Sequence, residues 1–299
     1  MIMVIVLYAI FASSILISKT IMPYTGLMFL TGARMVIGGG LLMAFQYFSP
    51  SQKFIFKKEH FKYYAQLAIF NILITYTARY WALITLPAFK VSFLHNLAPF
   101  ITALYAYIFL KDRMSGKQWI GLGIGLLGMI PILITTTPGE ASLGEVFFIS
   151  LPELAAIASV AASCYGWIIM RKLIKENGYS PMMANGISMT LGGILSLAIS
   201  LPLEGFYPVT NSTIFWTQLF AVILVSNIIC HNLYGHLLRS YSPTLLSFAG
   251  FITPFFAAFY EWVLNGQVIT WHFYASSIIV FAGLFLFYKD ELYHQHLVD

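Results

Sequence analysis

Residues 88–117 read AFKVSFLHNLAPFITALYAYIFLKDRMSGK: an apolar run with a proline, Pro99, near its middle and the basic residues Lys111, Arg113 and Lys117 after it. His95 and Asn96 stand just before the proline. Residues 242–267, SPTLLSFAGFITPFFAAFYEWVLNGQ, repeat the pattern in the other half of the chain. Aligned on Pro99 and Pro254, Ser92 meets Ser247, Phe93 meets Phe248, Phe100 meets Phe255, Ala103 meets Ala258 and Tyr105 meets Tyr260. A repeat with a period near half the chain predicts a duplicated membrane protein whose working site lies between the halves.

Composition agrees. The 299 residues are 59% hydrophobic and 9% charged, with mean hydropathy +0.81. A water-soluble domain needs about 25% charged residues to cover its surface, so most of this surface faces lipid. A net charge of +5 could suggest nucleic acid. In a chain this apolar, the basic residues read instead as cytoplasmic flanks of membrane helices, and no nucleic-acid partner is expected. Cys164 and Cys230 both fall inside expected spans, so they imply no disulfide framework. The first apolar run, 2–17, has no basic leader or small-residue cleavage site and reads as a span.

A span needs about 20 mainly apolar residues. The hydropathy pattern predicts an all-α membrane protein of ten spans: 2–20, 26–48, 63–85, 88–110, 117–136, 151–171, 181–203, 214–238, 242–264 and 271–288. They group as a first five-helix repeat, 1–136, an extracytoplasmic linker, 137–150, and a second repeat, 151–299. With the N-terminus in the cytoplasm, the inner loops carry Lys53, Lys57, Lys58, Lys62, Lys111, Arg113, Lys117, Arg171, Lys172, Lys175, Arg239 and Lys289. Only Lys19 and Lys90 fall at outer ends, where they are expected to snorkel to the interface. Five spans per half make the second repeat inverted and return the C-terminus to the cytoplasm. All six tryptophans lie near span ends and read as an interfacial belt.

Proline inside a helix removes one hydrogen bond and crowds the carbonyl four residues back. Those carbonyls belong to His95 and Gly250, so Pro99 and Pro254 are expected to kink their helices. At membrane depth a freed carbonyl must face protein or a wet cavity. Pro99 shares a face with Ser92, His95, Asn96, Thr102 and Ala106; Pro254 shares one with Ser247, Gly250, Ala257, Ala258 and Glu261. Glu261 could bind a cation, carry a proton, or pair with Arg34 or Arg79. Either arginine could hold a carboxylate or phosphate, or sit in a fixed salt bridge. Arg79 continues a polar stripe with Asn71 and Thr75. On the eighth span Asn227, His231 and Tyr234 follow helical spacing, with Asn232 and His236 beside them. These histidines either relay protons or make interhelical bonds. Without a carboxylate at ligand spacing they predict no metal site. Tyr76, Tyr80, Tyr105, Tyr165 and Tyr260 are candidates for an aromatic lining or for packing. Gly38–Gly40, Gly121, Gly125 and Gly192–Gly193 allow close helix packing. The run GLGIGLLG sits inside an apolar span with no strand before it, so it is not a dinucleotide loop.

Together these features resemble the drug/metabolite transporter superfamily, in its ten-span EamA-type branch. The matching residues are the Pro99 segment running into FLKDRMSGKQWIGLGIGLLG, its copy from Leu246 to Gly283, Lys19 ending the first span, and Arg34 in the second. Where that family has a glutamate after the proline helix, this chain has Asp112 and Gln267. The resemblance implies a secondary transporter of two inverted repeats working by alternating access. Spans one to four and six to nine would enclose the cavity, the fifth and tenth lying outside, and no cofactor is implied.

The function expected is carriage of a small polar, zwitterionic metabolite, an amino acid or a derivative such as S-adenosylmethionine, across a bacterial cytoplasmic membrane. It would involve a coupling proton or an exchanged solute and a monomer or homodimer. The substrate-binding candidates are Arg34, Asn71, Tyr76, Arg79, His95, Asn96, Asn227, His231, Tyr234 and Glu261. The rival readings are an exporter of hydrophobic cations and a non-transporting scaffold or lipid-binding subunit.

Overall fold

The computed structural model describes residues 2–48, 56–105, 107–108, 115–135, 145–146, 149–239, 241, 246, 249–266 and 270–295. Lys111, Asp112, Arg113, Ser247 and Gln267, which figured in the sequence reading, lie outside them. The described chain is nearly all helical: α1 (Ile2–Ile21), α2 (Leu27–Phe48), α3 (Lys58–Thr85), α4 (88–105), α5 (Gly116–Leu133), α6 (Leu151–Lys175), α7 (Pro181–Glu204), α8 (Ser212–Leu237), α9 (Gly250–Leu264) and α10 (Trp271–Gln295). Seven of these, α1 to α3 and α5 to α8, are long and apolar enough to cross a membrane. Helices α9 and α10 carry shorter apolar stretches, and α4 is broken. Just before α6, Glu145–Val146 pairs antiparallel with Ile149–Ser150.

The helix starts follow local chemistry. Ser150 opens α6 with a capping box: its hydroxyl accepts from the Glu153 N–H, and the Glu153 carboxylate accepts from the Ser150 N–H at 2.7 Å. Ser180 and Asn211 cap α7 and α8 in the same sense, each accepting from the N–H three residues on.

Packing follows the glycines. A Cβ on Gly39 would fall 2.6 Å from the Thr190 backbone nitrogen, so α2 and α7 touch nearly backbone to backbone. Gly283 of α10 meets Gly125 and Gly121 of α5 as closely. In Gly116–Leu127 only those two α5 glycines are buried, so α5 and α10 pair at the edge of the bundle. Large apolar side chains such as Phe45, Trp262, Leu264 and Phe285 point outward, as lipid contact requires.

Two kinds of helix irregularity recur at matching places in the two halves. Alpha-helical bonding gives way to π-helix at Leu67–Ile74 in α3 and at Ile223–Cys230 in α8. It tightens to a 3-10 turn at His95–Leu97 in α4 and at Gly250–Ile252 at the head of α9. The register is that of Pro99 and Pro254, to within one position. Each proline is the second residue of the helix that restarts after its 3-10 turn. Its missing N–H therefore falls in a first turn, where no intrahelical partner exists to lose.

Candidate functional site

The π-helical stretch of α3 widens one turn and leaves the Phe70 carbonyl without its usual donor. The Thr75 hydroxyl donates to it at 2.7 Å. In α8 the ring nitrogen Nδ1 of His231 bonds the Ser226 carbonyl at 2.7 Å. A carbonyl only accepts, so Nδ1 carries the proton and Nε2 is the acceptor. The Tyr76 hydroxyl, 2.8 Å from Nε2, is then its donor, which ties α3 to α8.

Both intramembrane arginines lie over the Tyr76 ring, Arg34 at 4.9 Å and Arg79 at 5.5 Å from its centroid. Their other contacts differ. Arg34 is buried and largely satisfied: Nε donates to Asn227 Oδ1 at 2.7 Å, and Nη1 donates to the Tyr80 hydroxyl at 2.5 Å and to Ser18 at 3.4 Å. Arg79 donates from Nη2 to His95 Nε2 at 2.6 Å, so that nitrogen carries no proton. The Nε of Arg79 is buried with no partner among the described residues.

A cavity opens between α1, α3, α4, α6, α8 and α9, with about 850 Å³ of empty space including its mouth. Asn71, Thr75, Arg79, Ser92 and His95 give it a polar side. Tyr8, Phe11, Tyr76, Trp167 and Tyr234 give it an aromatic one, with the Trp167 and Tyr234 ring centroids 4.1 Å apart. Among the described residues Arg79 is its one fixed cation and no carboxylate lines it. Helices α2 and α7, expected to help enclose it, contribute no lining residue.

Of the sequence candidates, Asn71, Tyr76, Arg79, His95, His231 and Tyr234 meet in this cavity. The others do not. Arg34 borders a smaller space beside it with Ser18 and Tyr80, and Asn227 serves to hold Arg34. Asn96 is buried away from the cavity, without a partner among the described residues. Glu261 is 1% exposed and pairs with neither arginine. Its oxygens accept from the backbone N–H groups of Ala88 (2.9 Å) and Phe89 (3.0 Å), with Lys19 at 3.6 Å. It caps the start of α4, where the helix dipole favours a carboxylate. Lys90 does not snorkel: it is 2% exposed, 2.8 Å from Glu153, and donates to the Thr135 carbonyl. Among the tyrosines, Tyr80 bonds Arg34, Tyr165 accepts from Gln66, and Tyr260 donates to Ala9. His236 faces outward.

Trp167 was missed, having been assigned to the interfacial belt. It stands two turns inside the end of α6, one turn before Arg171 and next to Gly166. A Cβ on Gly166 would collide with Asn71. The glycine brings α6 against α3 at the depth of the cavity and carries Trp167 inward with it. A tryptophan flanked by a glycine and set back from the basic end of its span was the available signal.

The model of the EamA-like transporter family matches residues 1–134 and 150–289. A protein of Chlamydia muridarum named S-adenosylmethionine/S-adenosylhomocysteine transporter is 32% identical, over 97% of this chain and 92% of its own length. One of the same name from Chlamydia trachomatis serovar L2 is 30% identical, over 96% and 86%. A solved crystal structure superposes with a TM-score of 0.65 at 14% identity, covering 95% of this chain and 93% of that one, which is a likeness of fold.

Proposed function

Because the chain belongs to the EamA-like transporter family, we propose that it carries S-adenosylmethionine and S-adenosylhomocysteine across a bacterial cytoplasmic membrane, through the cavity between α1, α3, α4, α6, α8 and α9. The observation that carries this reading is the make-up of that cavity: one guanidinium, Arg79, and a close aromatic pair, Trp167 and Tyr234. The carboxylate of the cargo goes to Arg79. Its adenine stacks against Trp167 and Tyr234, and a sulfonium is received by aromatic faces. The full-length similarity to the two chlamydial proteins supports the choice of cargo.

The two halves act as inverted repeats that rock about this cavity. With both termini in the cytoplasm, the contacts Glu261–Ala88, Glu261–Lys19 and Lys90–Glu153 lie at the extracytoplasmic end and close it. They must part when that side opens. The rival reading, export of hydrophobic cations, leaves the guanidinium of Arg79, the cavity's one fixed cation among the described residues, facing a solute with no anion to offer it.

The test is transport by the purified protein in liposomes. Vesicles loaded with S-adenosylhomocysteine and diluted into labelled S-adenosylmethionine are expected to accumulate label above protein-free vesicles, and excess of either solute to suppress it. Label no higher than in protein-free vesicles, from either face, would overturn the reading.

A further inference from the structure

The contrast between the arginines extends the proposed function to a subsite and rests on the cargo named there. Arg34 has a partner for Nε and two for Nη1. Arg79 faces the cavity with its Nε buried and unpartnered, and no carboxylate pairs with it among the described residues. Unpaired cations inside a membrane protein are costly and mark sites that await a counter-charge. The two buried acids that contact α4 are committed elsewhere: Glu261 caps α4 itself, and Glu153 caps α6 and pairs with Lys90.

A second unmade bond faces the same cavity. Ser92 is 0% exposed, and its hydroxyl has no partner among the described residues. It precedes His95 by one turn of α4, so the two side chains lie on one helix face. Buried donors are seldom left unpaired without a purpose. Here two of them, on α3 and α4, line the same cavity.

We propose that Arg79 and Ser92 form a subsite for the cargo's carboxylate, and that His95 is the positioning residue that holds it in shape. The Ser92 hydroxyl and the Arg79 guanidinium donate to the carboxylate oxygens. His95 accepts from Nη2 with its bare nitrogen and so fixes the guanidinium plane over Tyr76 without bringing in an opposing charge. A carboxylate at His95 would neutralise Arg79; a neutral imidazole leaves its charge for the ligand. Ser92 has Ser247 as its counterpart in the second half, but the pair of Arg79 and His95 belongs to the first half alone. In the alignment that pairs the two halves, glycines stand at the matching places: Gly250 opposite His95 and, one position off, Gly235 opposite Arg79.

Binding to the detergent-purified full chain tests this with two ligands: S-adenosylhomocysteine and its decarboxylated analogue, which keeps the adenosine, thioether and ammonium. Ser92→Ala and His95→Ala are each expected to weaken the first by about tenfold and to change the second by less than ~2-fold, as loss of a hydrogen bond to a charged group requires. His95→Gln, whose side-chain carbonyl can still accept from Arg79, is expected to recover wild-type affinity to within ~3-fold. Equal weakening of both ligands would reduce Ser92 and His95 to packing roles and overturn the subsite. So would full affinity for S-adenosylhomocysteine in His95→Ala. A wild-type protein that binds neither ligand would overturn the cargo itself, an outcome distinct from both.

Discussion

In α3 the π-helical stretch is followed by Thr75, which donates to Phe70; in α8 it is followed by His231, which donates to Ser226. The same carbonyl is exposed and the same position repairs it, with a hydroxyl in one half and an imidazole in the other. One position inside each stretch the correspondence recurs with a change of task. Asn71 lines the cavity, whereas Asn227 is turned onto Arg34. Further along, α3 has Arg79 where α8 has Gly235. The comparison teaches that the backbone irregularity is common to the two halves and the side chains divide the labour. The first half supplies the ionic chemistry, and the second braces it with Asn227 on Arg34 and His231 on Tyr76. π-Helical turns recur at functional sites because they re-aim one helix face without ending the helix.

Substitutions can break that division. The largest effect is expected for Arg79→Ala, which should weaken S-adenosylhomocysteine binding by ~10–100-fold while leaving the melting temperature unchanged or higher. Calorimetric titration and a thermal melt on the same sample read both. Asn227→Ala should do the reverse. It strands the Nε of buried Arg34, lowering stability by about 2 kcal/mol with ligand affinity kept within ~3-fold. If Asn71→Ala proved the more destabilising of the two asparagine changes, the assignment of labour between α3 and α8 would be wrong.

Next comes Trp167→Ala, expected to cost about tenfold in affinity through lost stacking. Outward-facing Trp262→Ala should cost nothing measurable. Equal effects in a binding assay would return Trp167 to the belt. The smallest change is Thr75→Val. It removes a hydroxyl that donates to the Phe70 carbonyl at 2.7 Å, with the Ser159 carbonyl of α6 a more distant partner at 3.4 Å, so a loss of about 0.6 kcal/mol is expected in an unfolding titration. A loss several times larger would mean that Thr75 holds more than the π-turn.

Seven of the ten expected spans appear as helices long and apolar enough to cross a membrane, and they were legible because burying a peptide in lipid demands a length of apolar residues, which can be read locally. The expected segments 26–48, 151–171 and 181–203 lie within a few residues of α2, α6 and α7. Part of the site was legible for a related reason. Asn71, Thr75 and Arg79 stand at helical spacing and are expensive in lipid, so they had to face inward. Glu261 met the same criterion and was misassigned. Its partners, the Ala88 and Phe89 amides, are main-chain groups with no side-chain signature and lie far away in the chain. Lys90 looked like an interfacial residue because its counter-ion, Glu153, sits on another helix.

The sequence by itself determined that this is a helical membrane protein of the EamA-like family with a small set of polar groups at membrane depth. Hydrophobic length, proline placement and charge cost are properties of each segment taken alone. Only the tertiary structure decided which of those groups are spent on one another and which face the cavity. That depends on how each helix is rotated about its axis, and on where glycines such as Gly39 and Gly166 let neighbours approach. Arg34 and Arg79 are alike as residues; Asn227 stands against one and open space against the other.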